Sequence, residues 1–195
     1  IARLADRLGL GGLRIAVVAG DDVLGSLDLD AAEVYEADAG LPERDTKPIS
    51  ANAYLGAEPL VAALRMGADV VVAGRVADPS LALAPLIHHF GWDAADWDRL
   101  AVGAACGHLL ECGSQVTGGV FYDPGFKDVP DPANLGFPSA EVSADGDLVV
   151  TKAANTGGLV DQRTVTEHLL YEVHDPAAYV TPDVIMDIAA TTLED

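Results

Sequence analysis

Apolar positions along this chain fall into short continuous runs and helically spaced stripes, punctuated by glycine, proline and acidic turns. Leu13 to Gly20 (LRIAVVAG) is a continuous apolar run closed by glycine, the pattern of a parallel strand buried on both faces. Glu58 to Gly67 carries apolar residues at helical spacing, with Pro59 in the first turn and a glycine stop. Asp69 to Gly74 (DVVVAG) is a second buried strand, so strand, helix and strand form a βαβ unit. Pro79 to Phe90 returns as a helix, and Asp78 is placed to cap it. Ile1 to Gly12 reads as a further helix, with Leu4, Leu8 and Leu10 on one side and Arg3 and Arg7 outside.

Beyond residue 95 the pattern predicts a long helix from about Asp96 to Val116, then a short strand over Gly118 to Tyr122. Asp123 to Pro138 holds four of the eleven prolines and two glycines, which marks irregular loop. Ala140 to Ser143 and Asp147 to Thr151 flank Ala144-Asp145-Gly146, a hairpin signal through its Asp-Gly pair. Gln162 to Val173 is the last helix. The expected fold class is therefore α/β: a mostly parallel sheet flanked by helices, with an added antiparallel hairpin, in a single domain over residues 1–195. The first residue already lies inside a helical pattern, so the chain is expected to be a fragment of a longer protein.

Composition narrows the partners. Half of the 195 residues are apolar, enough to bury a core, and no uninterrupted apolar run of about 18 residues suggests a membrane span. The formal net charge of −20 repels nucleic-acid phosphates and anionic lipid heads, so neither nucleic acid nor membrane is an expected partner. The few bases become informative. Lys47, Lys127 and Lys152 are the only lysines, and they are candidates either for an anionic ligand or for surface ion pairs. Cys106 and Cys112 lie six apart on one expected helix, about 9 Å along its axis, beyond the roughly 7 Å that a disulfide spans. Free thiols fit a reducing compartment, and a cytoplasmic location is expected.

The long helix carries the most chemistry. His108, Glu111, Cys112 and Gln115 stand at i, i+3, i+4 and i+7 and share one face. An imidazole, a carboxylate, a thiol and an amide are an unusual way to solvate a helix. His108 and Glu111 could serve as a general acid–base pair, or simply hydrogen-bond to each other while the cysteine packs as a small apolar residue. Arg75 follows the second strand and falls at the carboxyl edge of the sheet, where open α/β sheets bind ligands. Asp78 either caps the next helix or joins that site. His88 and His89 end their helix, where the dipole favours a cationic imidazole. Two Thr-Gly-Gly runs, Thr117-Gly118-Gly119 and Thr156-Gly157-Gly158, offer backbone amides to an anion, the second with Lys152 nearby and a helix ahead. A helix stop explains the first equally well. No residue spacing demands a metal, and none is expected.

Several runs together resemble the acyclic terpene utilisation family. They are Asn52 to Gly56 (NAYLG), Gly74 to Asp78 (GRVAD), Gly107 to Cys112 (GHLLEC), Gln115 to Gly119 (QVTGG) and Asp123 to Gly125 (DPG). Leu135 to Pro138 (LGFP), Thr156 to Gly158, Leu169 to Tyr171 and Asp175-Pro176 add to them, so the likeness extends from about Gly20 to Val184. The resemblance implies a place in bacterial growth on citronellol and geraniol, beside enzymes of branched acyl-CoA intermediates. It also implies a natural chain longer than this one. The expected function is an enzyme of acyclic terpenoid or branched acyl-CoA catabolism, with hydratase- or lyase-type chemistry on a CoA thioester or carboxylate. His108, Glu111, Arg75 and Asp78 are its candidate catalytic groups. Gln115, Thr117, Gly118, Gly119, Lys127, Lys152, Thr156, Gly157 and Gly158 are its candidate substrate contacts. No cofactor is specified. The alternative is a non-catalytic partner that assembles with pathway enzymes or delivers their substrate, and a homo-oligomer fits either reading.

Overall fold

The computed structural model describes residues 1–28 and 48–194, so the expectation for Lys47 lies outside the described residues. In chain order the elements are helix α1 (Ala2–Arg7), strand β1 (Ile15–Val18), helix α2 (Glu58–Arg65), strand β2 (Val70–Ala73) and helices α3 (Ser80–Phe90) and α4 (Trp97–Glu111). A π-helical turn (Gln115–Gly119) and a single 3-10 turn (Pro132–Asn134) lead into strands β3 (Pro138–Val142) and β4 (Leu148–Lys152). Helix α5 (Gln162–Leu169) and strands β5 (Tyr179–Val180) and β6 (Ile185–Met186) complete the fold. The class is mixed α/β, as expected, with β1 and β2 parallel and β3–β4 an antiparallel hairpin. The second hairpin, β5–β6, has two residues per strand and carries no periodicity that a sequence could reveal.

Two departures have clear physical causes. The long helix expected to reach Val116 stops at Glu111, because Gly113 adopts a left-handed φ of 59° that a right-handed helix cannot continue. The chain then re-enters a helical turn over Gln115–Gly119, so the strand expected at Gly118 to Tyr122 does not form. The strand signal there was a run of apolar residues after glycine. Of those residues Phe121 is buried while Val120 and Tyr122 are exposed, and the fully buried positions of the turn are the preceding Val116 and Thr117.

The main core lies between the parallel strands and α2, α3 and α4, with Leu60, Val61, Leu83, Trp92, Leu100 and Met186 buried in it. Leu83 is completely enclosed, and truncating such a leucine costs about 2–5 kcal/mol. A smaller cluster of Leu109, Val116, Val165 and Leu169 joins α4, the π-helical turn and α5. The approach of α4 to α3 depends on Gly107. A Cβ at that position would lie 2.3 Å from the Pro79 carbonyl oxygen. The next residue on α4 is His108, so this glycine brings the histidine beside the start of α3. Asp183 ties the same region together. Its carboxylate accepts from Ala57 N at 2.7 Å and from Ser80 Oγ at 2.5 Å, joining the first turns of α2 and α3.

Candidate active site

Asp78 does not cap α3. The helix begins one residue later than a cap at Asp78 requires, with Pro79 at the cap position and no side-chain cap bond. The freed carboxylate lines the same cavity as the Glu111 carboxyl at the end of α4, and its charge acts on that group. On its other side it sits 4.0 Å from the Arg75 guanidinium, with both side chains half exposed. Asp78, His108, Glu111, Glu172, Tyr54 and Tyr179 border one cavity of about 580 Å³.

Each wall has a local cause. Glu111 is the last residue of α4, so its side chain leaves the helix just as the backbone turns away. Glu172 stands in the left-handed region with φ 57°, in the turn that follows α5. Tyr179 is brought in by the β5–β6 hairpin. Arg75 N donates to Asp21 Oδ2 at 2.8 Å, and Asn52 Nδ2 donates to the same oxygen at 2.8 Å. These bonds fix the sheet edge, and the backbone bond from Arg75 is the first cause that holds Asp21 below its ordinary carboxylate range. The guanidinium lies 5.2 Å from the centre of the Tyr54 ring. Arg75 itself lines a neighbouring cavity that shares Asp78 as a common wall.

The electrostatics of the cleft run against simple ion pairing. Burial, followed by the charge of Asp78, pushes the Glu111 carboxyl up to about 7. The His108 ring is 2% exposed, and burial lowers its basicity, opposed by a bond to a backbone carbonyl. His108 Nδ1 and Glu111 Oε1 are 3.9 Å apart, too far for a hydrogen bond. The histidine is instead oriented through Nε2, which lies 2.9 Å from the His168 carbonyl oxygen. That contact needs a proton on Nε2, which leaves the Nδ1 lone pair for the Tyr179 hydroxyl at 3.4 Å. The cleft therefore holds a neutral imidazole and a Glu111 carboxyl whose ionisation is opposed by burial and by the charge of Asp78. Cys112 Sγ donates to Glu111 Oε1 at 3.7 Å, and its thiol is pushed up to about 11 by burial and by that carboxyl. Both cysteines are free, with Cys106 buried and Cys112 less so.

The other candidate residues lie elsewhere. Gln115 is buried in the π-helical turn rather than aligned with His108 on one helix. Thr117 Oγ1 donates to Gly136 O at 2.6 Å, and Leu159 N donates to Thr117 O at 2.9 Å. Gly157 N and Gly158 N donate to the carbonyls of Asn134 and Pro130, each at 2.7 Å. The two Thr-Gly-Gly runs thus clamp the proline-rich loop between them, and α5 starts only at Gln162, capped by Asp161. Lys152 Nζ donates to Thr156 O at 2.8 Å, holding the end of β4 to that turn. Gly118 and Gly119 belong to the π-helical turn, and Lys127 pairs with Glu167 over the Phe121 ring. Among the described residues, no group of three or more histidine, cysteine, aspartate or glutamate side chains is placed to hold a metal ion.

His168, Glu172, Tyr179 and Tyr54 of the cleft region were not among the sequence candidates. His168 is 1% exposed, its ring centre is 5.3 Å from that of His108, and neither of its nitrogens has a hydrogen-bond partner among the described residues. Burial and the neighbouring His108 lower it to about 4. Its spacing with Val165 and Leu169, at i+3 and i+4 positions of one stripe, is the signal that places it on the core face. Glu172, Tyr179 and Tyr54 offer no comparable signal, since Glu172 lies in the turn after α5, Tyr179 in a strand of only two residues, and Tyr54 outside any helix or strand.

The whole chain, residues 1–195, matches the family model described as acyclic terpene utilisation family protein AtuA. No curated protein and no solved structure matches it.

Proposed function

The chain belongs to the acyclic terpene utilisation family, which gives it a role in acyclic terpene utilisation, and from that premise we propose that the Asp78–Glu111–His108 cleft is an active site. The reaction proposed is proton transfer during hydration or dehydration of a branched acyl thioester or related carboxylic compound. The observation that carries this reading is the pair of carboxyl groups facing each other in a half-closed cleft, one of them pushed up to about 7. Near neutral pH the Glu111 carboxyl is poised to hold or release a proton, so it can donate one to a substrate beside Asp78. In a hydration, Asp78 would take a proton from the attacking water and Glu111 would deliver one to the carbon next to the carbonyl. Arg75 at the rim would donate to the carbonyl oxygen as charge develops there. His108, neutral and fixed through Nε2, would hold the water or the substrate oxygen beside its Nδ1 face.

The test is hydration of a 3-methyl-2-enoyl-CoA, followed by loss of the conjugated thioester absorbance. Turnover by the natural chain and its loss in Glu111→Gln support the proposal. Equal rates for the two would contradict it.

The exposed apolar side chains keep a second reading in view, that of a non-catalytic partner of pathway enzymes. Ile49 is 97% exposed, Phe126 88% and Met66 81%. Surface of this kind marks contact sites when it is contiguous. On that reading Glu111→Gln would leave growth on an acyclic terpenol unchanged, and substitution of those apolar residues would impair it.

A further inference from the structure

The cavity beside the cleft is apolar along most of its length and polar at one end. Its volume is about 340 Å³, within the range of small-molecule pockets, and Leu60, Leu64, Val71, Leu81 and Pro85 line its bed. Arg75 and Asp78 close the polar end, and Asp78 also faces the cleft. One wall thus separates a place for a tail from a place for chemistry.

Charge around Arg75 decides what head group fits. Asp78 Oδ1 is 4.0 Å from the guanidinium, and the Asp21 carboxylate, bonded to the Arg75 backbone, interacts with the same positive charge. One cation already faces two carboxylates, in a chain whose net charge is −20. An incoming carboxylate would be a third anion against one arginine. A neutral carbonyl oxygen accepts the same guanidinium bond and adds no charge. We propose that this groove binds the aliphatic tail of a neutral carbonyl compound, with its carbonyl oxygen at Arg75, and discriminates against the corresponding free carboxylate. The inference builds on the active-site reading given above and narrows its substrate from thioester or carboxylate to the uncharged form.

Calorimetry at pH 7 and fixed ionic strength tests it with 2-hexanone, 2-octanone and 2-decanone against decanoate. Affinity should rise by up to about fourfold for each methylene added to the ketone, since each buried methylene gains the transfer free energy of a CH₂ group. Decanoate should bind at least about tenfold more weakly than 2-decanone, the cost of a like-charge contact at this range. Leu81 is half exposed, so Leu81→Gln should fold normally and weaken 2-decanone about tenfold or more. Glu111→Gln, which lies outside the groove, should bind 2-decanone within twofold of the natural chain. This keeps the two readings separate: Glu111→Gln can lose turnover while binding persists, or keep turnover while binding fails. Decanoate binding as tightly as 2-decanone, affinity independent of chain length, or an unaffected Leu81→Gln would each overturn the groove.

Discussion

The cleft at Asp78, His108 and Glu111 and the turn at Lys152 and Thr156 to Gly158 are both polar, yet they differ in how their polar groups are satisfied. At the turn every prominent donor is already used: Lys152 Nζ bonds Thr156 O, while Gly157 N and Gly158 N bond carbonyls of the proline-rich loop. In the cleft Glu111 shares a cavity with another carboxyl, His108 is buried 3.9 Å from Glu111 and beyond hydrogen-bond distance of it, and the His168 nitrogens beside it have no hydrogen-bond partner among the described residues. Polar groups that satisfy one another stabilise a fold. Groups held in unfavourable electrostatic surroundings cost stability and are the ones poised for chemistry. Residue type alone, a lysine near two glycines or a histidine near a glutamate, does not separate these cases.

The largest contrast should appear in turnover. Glu111→Gln should lower hydration of the enoyl thioester by about 10²–10⁴-fold, the usual range for losing a general acid, while Lys152→Ala stays within about threefold. Comparable losses in both variants would erase the distinction between the regions.

Acid sensitivity should come next. His168 is neutral and buried, with its basicity lowered from 6.5 to about 4. Above pH 6.5 the ring is uncharged in both folded and unfolded chains. Between 6.5 and 4 the unfolded chain takes up a proton that the folded ring refuses, so stability falls as pH is lowered through that window. The full effect is about 3 kcal/mol, and His168→Leu should remove it, flattening the decline in urea midpoint from pH 7 to 4. Glu111 acts with the opposite sign. Its carboxyl is raised from 4.5 to about 7, so its contribution is lost as pH rises through that range. Glu111→Gln should therefore gain stability above pH 7, the reverse of its effect on turnover. Parallel pH profiles for the natural chain and both variants would contradict this account.

Smaller effects should mark the satisfied turn. Gly158 has a φ of +82°, and a Cβ there would lie 2.5 Å from Thr117 O. Gly158→Ala should cost about 1–3 kcal/mol in stability, read from thermal or urea unfolding. Lys152→Ala should cost about 1 kcal/mol, a single hydrogen bond from a charged donor that is partly exposed. A neutral Gly158→Ala would show that the two Thr-Gly-Gly runs do not depend on their close packing.

Much of the scaffold is legible from sequence because its signals are local. The apolar runs at Leu13 to Gly20 and Asp69 to Gly74 contain β1 and β2, and Asp145-Gly146 turns the β3–β4 hairpin as its composition dictates. Arg75 also falls at the carboxyl edge of the sheet as expected, set there by β2. The site was legible only in its separate parts. His108 and Glu111 stand out by spacing, but their relation is not the expected pairing, because the His168 carbonyl orients the ring from another helix. Asp78 escapes its capping role through a one-residue shift in the start of α3, which no pattern resolves. Gln115 leaves the stripe because Gly113 turns left-handed, a signal that was present but outweighed by continuing periodicity. Contacts made between distant elements, such as Glu172 and Tyr179 at the cavity wall, leave no local trace.

Observation of the Glu111 proton would test the central claim most directly. With glutamate side-chain carboxyls labelled with ¹³C, NMR titration should show one carboxyl titrating near 7, well above the others. In Asp78→Asn the same resonance should titrate lower, because a neutral amide removes the neighbouring charge while burial remains. If every glutamate titrates in the ordinary range near 4.5, or if Asp78→Asn leaves the high value in place, Glu111 is not poised by its setting beside Asp78 and the cleft loses its claim to acid–base chemistry.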